Sequence, residues 1–239
     1  MKSLRVAIIV GLMFSMSACT SAADTQTALT PFTYDQAVRL SDVLRQNYLS
    51  EGATFTLTID GAVDVEPVVL TGHVDWVGGQ ARAHVTGVAD AYGVLTDVAW
   101  TSEAVAEYRP ELVSQLAQRN ETPDTYFLRR LDPTQQRIDR LMQLVLQLAS
   151  PHAENAQLLL QQDGAGFVGI DALDGETIEG LRYGQQSLYW VSVDTGQLRR
   201  FEGNDVLGEA PFRILFHTFG PQTVGLLAVS SEPARPLTR

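Results

Sequence analysis

Cys19 is the only cysteine among 239 residues, so no disulfide can form within the chain. Lysine is equally scarce: Lys2 is the only one, and beyond Arg5 all formal positive charge is carried by arginine. The net charge of −11 leaves no basic footprint for phosphate, which excludes a nucleic-acid partner and disfavours adsorption to anionic headgroups. Long apolar runs are missing too. The longest, Val6 to Phe14, is too short to span a bilayer as a stable helix. There is no Gly-x-Ser-x-Gly elbow, no P-loop and no dinucleotide fingerprint. Nothing points to nucleophilic or nucleotide chemistry, no cofactor is called for, and the chain reads as a non-enzyme.

What is present begins with an export signal. Lys2 and Arg5 form a basic start, Val6–Phe14 an apolar stretch, and Met16-Ser17-Ala18-Cys19 follows. This resembles the bacterial lipoprotein signal, in which the cysteine becomes the lipidated N-terminus. Met16 stands where leucine is usual. Ser21 and Ala23 also satisfy the small-x-small rule of an ordinary secretory cut. The lipoprotein reading makes residues 1–18 the signal and 19–32 the lipidated Cys19 with a polar tether, leaving the protein on the bacterial cell envelope. Loss of Lys2 and Arg5, with no acid lost, takes the charge from −11 to −13.

Residues 33–231 read as one domain and 232–239 as a tail. Its most legible stretch is Val68–Gly87, where apolar and polar residues alternate on either side of Gly78-Gly79. With the two glycines as the turn, Asp75 falls opposite Arg82, His73 opposite His84, and Thr71 opposite Thr86. That face is polar. The other carries Leu70, Val74, Trp76, Ala81, Ala83 and Val85.

Around this hairpin, Thr33 caps a helix through Leu49, with Ala37, Val38, Leu40, Val43, Leu44 and Tyr48 as its stripe and Gly52 as its stop. Strands are expected at Thr54–Asp60, Tyr92–Trp100, Ala104–Tyr108 and Tyr126–Leu131. A short helix opens at Pro110, with Leu112, Val113 and Leu116 on one side. Asn120–Asp124 is loop. A second long helix runs from Asp132-Pro133-Thr134 to Ser150, apolar on more than one side through Ile138, Leu141, Met142, Leu144, Val145, Leu146 and Leu148. Six more strands are expected: Gln157–Gln161, Gly166–Leu173, Thr177–Tyr183, Ser187–Val193, Gln197–Glu202 and Phe212–Phe219. Gly175, Gly184 and Asp194-Thr195-Gly196 punctuate them. The class is α+β: a meandering antiparallel sheet interrupted by helices.

This order of elements resembles the LolA/LppX–LprG-like group of envelope lipid carriers. So do the phrases GHVDWVGGQARAHV (72–85), TDVAWTSEAVAEYRP (96–110) and DGETIEGLRYGQQSLYWVSVDTGQLRRFEG (174–203). The resemblance implies a strongly curved half-barrel whose concave face is plugged by helices, with a lipid or acyl chain held between them. The residues placed by face to line such a space are Phe55, Leu57, Val74, Trp76, Trp100, Leu141, Met142 and Val145. Periodicity alone equally describes a closed core, and the alternative is a structural or regulatory lipoprotein that acts through a surface for a protein partner.

Other candidates weaken on inspection. His73 and His84 with Asp75 form a conceivable metal set, but on a polar face they read as solvated. His152 follows a helix end and reads as a cap, while His217 has no assigned partner. Asp171, Asp174, Glu176 and Glu179 flank a turn and read as exposed rather than as an acid–base pair. In Arg129-Arg130 and Arg199-Arg200, strand alternation leaves one arginine of each pair solvated, with an anionic headgroup as the sharper alternative for the other.

Overall fold

A computed structural model of the chain describes residues 29–60, 66–90, 93–118, 126–184, 186–204 and 210–224. The signal, Cys19, Tyr92, the 120–124 loop and the tail lie outside the described residues. The elements are α1 (Tyr34–Leu49), β1 (Gly52–Ile59), β2 (Val68–Asp75), β3 (Gln80–Thr86), β4 (Ala89–Asp90), β5 (Gly93–Val94), β6 (Asp97–Thr101), β7 (Ala104–Tyr108), α2 (Pro110–Gln118), β8 (Phe127–Arg130), α3 (Arg137–Gln147), α4 (Ala156–Leu159), β9 (Gly166–Leu173), β10 (Glu176–Tyr183), β11 (Ser187–Ser192), β12 (Leu198–Asn204) and β13 (Pro211–Phe219).

Eleven strands form one antiparallel sheet in the order β8-β7-β6-β3-β2-β1-β13-β12-β11-β10-β9, and β4 and β5 pair separately. Consecutive strands are neighbours except where β3 meets β6 and where β1 meets β13, which joins the first and last of these strands at the centre of the sheet. The sheet is open and curved, a half-barrel with β8 and β9 as its edges. Strand alternation sends Phe55, Leu57, Leu70, Val74, Val98, Ile214 and Phe216 to one face, where all are buried. Helix α3 lies against β2 and β6 on that face, and α1 against β11 and β12.

Local chemistry explains the boundaries. At the start of α1, Gln36 N donates to Thr33 Oγ1 (3.3 Å) and Thr33 N donates to Gln36 Oε1 (3.0 Å), a reciprocal cap. Glu51 ends the helix by taking a φ of +66°, whereas Gly52, the expected stop, is already the first residue of β1. Gly52 is required there because a Cβ would lie 2.4 Å from the Val74 carbonyl oxygen. Within α1, Val38 is exposed, and the wholly buried Asn47 belongs to the inward stripe.

The β2–β3 register differs from the expected one by two residues: Asp75 pairs with Gln80, His73 with Arg82, Thr71 with His84, and Val69 with Thr86. Both favoured two-residue hairpin turns need positive φ at the first centre, here Gly78, and of the two glycines only Gly79 has it, at +63°. Trp76–Gly79 instead form a longer turn, held by Gly78 N donating to Asp75 Oδ1 (2.7 Å). A shift of two leaves every side chain on its expected face.

Other differences are equally local. Asp132 Oδ1 accepts from the Thr134 hydroxyl (2.7 Å) and from Gln135 N (3.2 Å), so it caps a turn ahead of α3, and the helix proper starts at Arg137 and ends at Gln147. The expected strand at Gln157–Gln161 is helix α4, capped by Asn155, whose Oδ1 accepts from Gln157 N (2.9 Å). Tyr92–Trp100 is not one strand; its described part divides into β5 and β6. The apolar side of α2 is only half-buried.

Candidate functional site

The eight residues placed by face all lie in one continuous apolar cluster between the sheet and the helices. Phe55 meets Trp100 edge-on with ring centroids 6.1 Å apart, and Trp76 meets Phe216 at 5.6 Å. Helix α3 brings Leu141, Met142 and Val145, each at most 3% exposed, onto this floor. Two indole N–H groups reach across the apolar contact. Trp76 Nε1 donates to the Val145 carbonyl oxygen (3.1 Å) and Trp100 Nε1 to that of Met142 (2.9 Å). An indole has one donor, and when buried it usually finds an acceptor. Here both donors fasten the helix to the sheet.

Buried Asn47 locks the far end. Its Nδ2 donates to the Leu148 carbonyl oxygen (2.7 Å), and its Oδ1 accepts from Leu198 N (3.1 Å), tying α1 to the end of α3 and to β12. Sequence reasoning passed over Asn47; an amide among apolar stripe positions was the available signal.

The start of α3 is held by charge. Arg129 donates to both oxygens of Asp139 (2.6 and 2.7 Å) and through Nε to Glu107 (2.6 Å). Glu107 also accepts from Arg109 (2.8 Å), and Arg109 reaches the Gly93 carbonyl oxygen (2.9 Å). Glu107, Arg109 and Asp139 are buried. Burial works against the Arg129 charge, but Asp139 and Glu107 outweigh it and its pKa is raised. Arg130, one residue on, is exposed. A cleft of about 810 Å³ opens here, lined in part by Leu128, Arg129, Arg130, Leu131 and Pro133.

Farther along the concave face, Tyr189 packs edge-on against Phe201 at 4.9 Å. Burial, with Glu154 and Tyr183 nearby, pushes its phenol up to about 12.

Arg199 and Arg200 do not alternate as expected. The register shifts between Trp190, which pairs with Arg200, and Val191, which pairs with Leu198, so Arg199 is the extra residue of a β-bulge. Neither arginine is left in water. Arg199 pairs with Glu176 (3.0 Å) and Asp174 (3.7 Å), and Arg200 with Asp171 (2.9 Å) and Glu202 (3.1 Å) while stacking on the Trp190 ring at 4.1 Å. Glu179 pairs with Arg39 of α1. All four acidic residues are thus engaged with arginines, and Glu176 and Glu179 are less exposed than expected.

His73 and His84 are not cross-strand partners, and both side chains face solvent. His84 lies 3.8 Å from Asp97, and His217 shares a hydrogen bond with Thr56 (3.0 Å). His152 is exposed beyond the end of α3, its backbone N–H donating to the Ser150 hydroxyl (3.3 Å). Among the described residues no three His, Cys, Asp or Glu side chains form a group able to hold a metal ion. No helix among them is long and apolar enough to cross a membrane.

No protein-family model matches the chain, and no curated protein matches it. Several solved structures do. The lipoprotein LppX of Mycobacterium tuberculosis is similar at 10% identity and a TM-score of 0.43, over 79% of this chain and 97% of that one. A LolA superfamily protein of Nitrosomonas europaea is similar at 10% identity and a TM-score of 0.30, over 80% and 94%. The MucA/MucB complex of Pseudomonas aeruginosa is similar at 16% identity and a TM-score of 0.32, over 77% and 54%. The group named from the sequence is therefore among the structures found.

Proposed function

We propose that the chain is a lipoprotein of the bacterial envelope, anchored through Cys19, that binds the acyl chain of a lipid between the concave face of the sheet and α3. The carrying observation is the make-up of that contact. Apolar side chains of α3 rest on an apolar floor, and the indoles of Trp76 and Trp100 are the hydrogen-bond donors that fasten the middle and end of the helix to it. Lifting the middle of the helix from the sheet breaks the two indole hydrogen bonds, each worth about 1 kcal/mol net, while the Arg129–Asp139 pair and Asn47 hold its two ends. A guest chain then covers the apolar surface that parting exposes, each buried methylene contributing about 0.8 kcal/mol. Phe55, Leu57, Val74, Trp76, Trp100, Leu141, Met142 and Val145 are the proposed lining.

A second reading has its own observation. These residues are at most 6% exposed and pack on one another, as in a closed core whose work is done by an outer surface. Uptake of cis-parinaric acid separates the two. A carrier takes up the probe saturably, and Trp76→Phe with Trp100→Phe speeds uptake by removing both fastenings. A closed core shows no saturable uptake with or without them.

A further inference from the structure

Among the described residues, the large apolar side chains left exposed are not scattered evenly. Tyr34, Val38, Leu158, Leu160 and Ile170 lie on or beside α1, α4 and β9, whereas Leu49 closes the other end of α1 and Val77 and Val94 lie on other elements. Three contacts join α1, α4 and β9. Helix α4, which carries Leu158 and is capped by Leu160, packs beside α1, which carries Tyr34 and Val38. Ile170 of β9 stands opposite Glu179, and Glu179 pairs with Arg39, the residue after Val38. Thr30, four residues before Tyr34, exchanges two backbone hydrogen bonds with Phe167 of β9 (2.7 and 3.1 Å).

The last contact fixes where the chain leaves for its N-terminus. A side chain on Gly166 would lie 2.8 Å from the Thr30 carbonyl oxygen, so glycine is what admits the segment against β9. Ten residues separate Cys19 from Thr30, a span of at most about 40 Å fully extended. Lipid on Cys19 therefore keeps this end within one tether length of the bilayer.

We propose that the exposed apolar cluster of Tyr34, Val38, Leu158, Leu160 and Ile170 is a membrane-contacting surface that seats the anchored protein on a zwitterionic bilayer with α4 and the β9 edge against the lipid. The proposal rests on anchoring at Cys19 and is independent of acyl-chain binding inside. Leu158 and Leu160 are 64% and 42% exposed and Ile170 is 66% exposed, so each has apolar area to place among headgroups and upper chain segments. The acids of the same elements and their flanks, Asp35, Glu154, Asp163 and Asp171, are unsuited to anionic headgroups. Arg39 is already paired with Glu179, and Arg200 with Asp171.

The test uses the protein extracted from bacterial membranes, its intact mass measured, then reconstituted in phosphatidylcholine vesicles containing brominated-chain lipid. Leu160→Trp and Val77→Trp each add an exposed indole, at the proposed contact and at the β2–β3 turn. Their emission is compared with that of the parent, which has three tryptophans of its own. Stronger quenching at 160 than at 77, reduced by about twofold or more when half the lipid is anionic, supports the surface. Equal or absent quenching with an acylated mass overturns it and leaves the anchor standing. An unacylated mass removes the anchor on which the proposal rests and overturns it. If residue 160 is unquenched in vesicles yet shielded from aqueous iodide in native membranes, the cover is a protein and the proposal fails.

Discussion

Arg129 on edge strand β8 and Asp139 in the first turn of α3 form a two-pronged ion pair, with both guanidinium nitrogens 2.6–2.7 Å from the carboxylate oxygens. Asp139 is wholly buried and also accepts from Asp132 N at 2.8 Å. Removing one partner strands a charge in a low-dielectric interior. Asp139→Ala is expected to cost about 3–5 kcal/mol in urea unfolding. Asp139→Leu combined with Arg129→Met is expected to cost less than the sum of the single changes. Additive losses contradict a coupled pair.

Gly72 and Gly79 belong to the same hairpin and differ in kind. A Cβ on Gly72 would lie 1.9 Å from the Arg82 carbonyl oxygen, whereas Gly79 has open space but a φ of +63°. Gly72→Ala is expected to cost about 3 kcal/mol or more, because central strands must separate. Gly79→Ala is expected to cost about 1 kcal/mol for its backbone conformation alone. Thermal melts of the two variants give the order, and equal losses refute it.

Trp76→Phe keeps an aromatic ring, deletes the donor to the Val145 carbonyl oxygen and removes the volume of the fused five-membered ring. A loss of about 1 kcal/mol or more is expected. Amide exchange should accelerate at the C-terminal end of α3 and leave β1 and β13 unchanged. Uniform acceleration would show that the indole supports the whole core rather than the helix contact.

Acid should weaken the fold in a defined window. The bond from Arg45 holds the Asp42 carboxyl below its ordinary value of 3.8, against a burial effect of opposite sign. The Thr134 hydroxyl does the same for Asp132, and the Ala172 N–H followed by Arg200 for Asp171. A carboxylate whose pKa is lowered by folding stabilises the fold fully above its unfolded value and loses that contribution as pH falls through the folded one. The urea midpoint should therefore hold steady from about pH 7 to pH 5 as far as these groups are concerned and drop below about pH 4. Asp132→Asn should shallow that drop.

Which residues face inward was legible from alternation and helical spacing, because period two and period 3.6 survive errors of position. The hairpin shows this: a four-residue turn moved every pairing by two and no side chain changed face. Where a short apolar run fits two structures, the pattern gave no decision. Leu158-Leu159-Leu160 looks like a buried strand, but Asn155 caps it into a helix turn with Leu159 inward. The ion pairs were less legible, since they join residues such as Arg39 and Glu179 that lie far apart in the chain. Arg199 and Arg200 misled for a further reason: alternation assumes a regular strand, and a bulge suspends it. Cys19 and its signal are read from sequence alone.

Acyl-chain binding is tested most directly by native mass spectrometry of residues 20–239, exported to a bacterial envelope without Cys19, with solvent extraction of the same sample. The proposal predicts one co-purifying lipid per chain, lost when Val74→Asp places a charge on the concave floor. A clean apo mass, together with no uptake of a fluorescent acyl probe, contradicts it and leaves a closed core with its work on the outer surface.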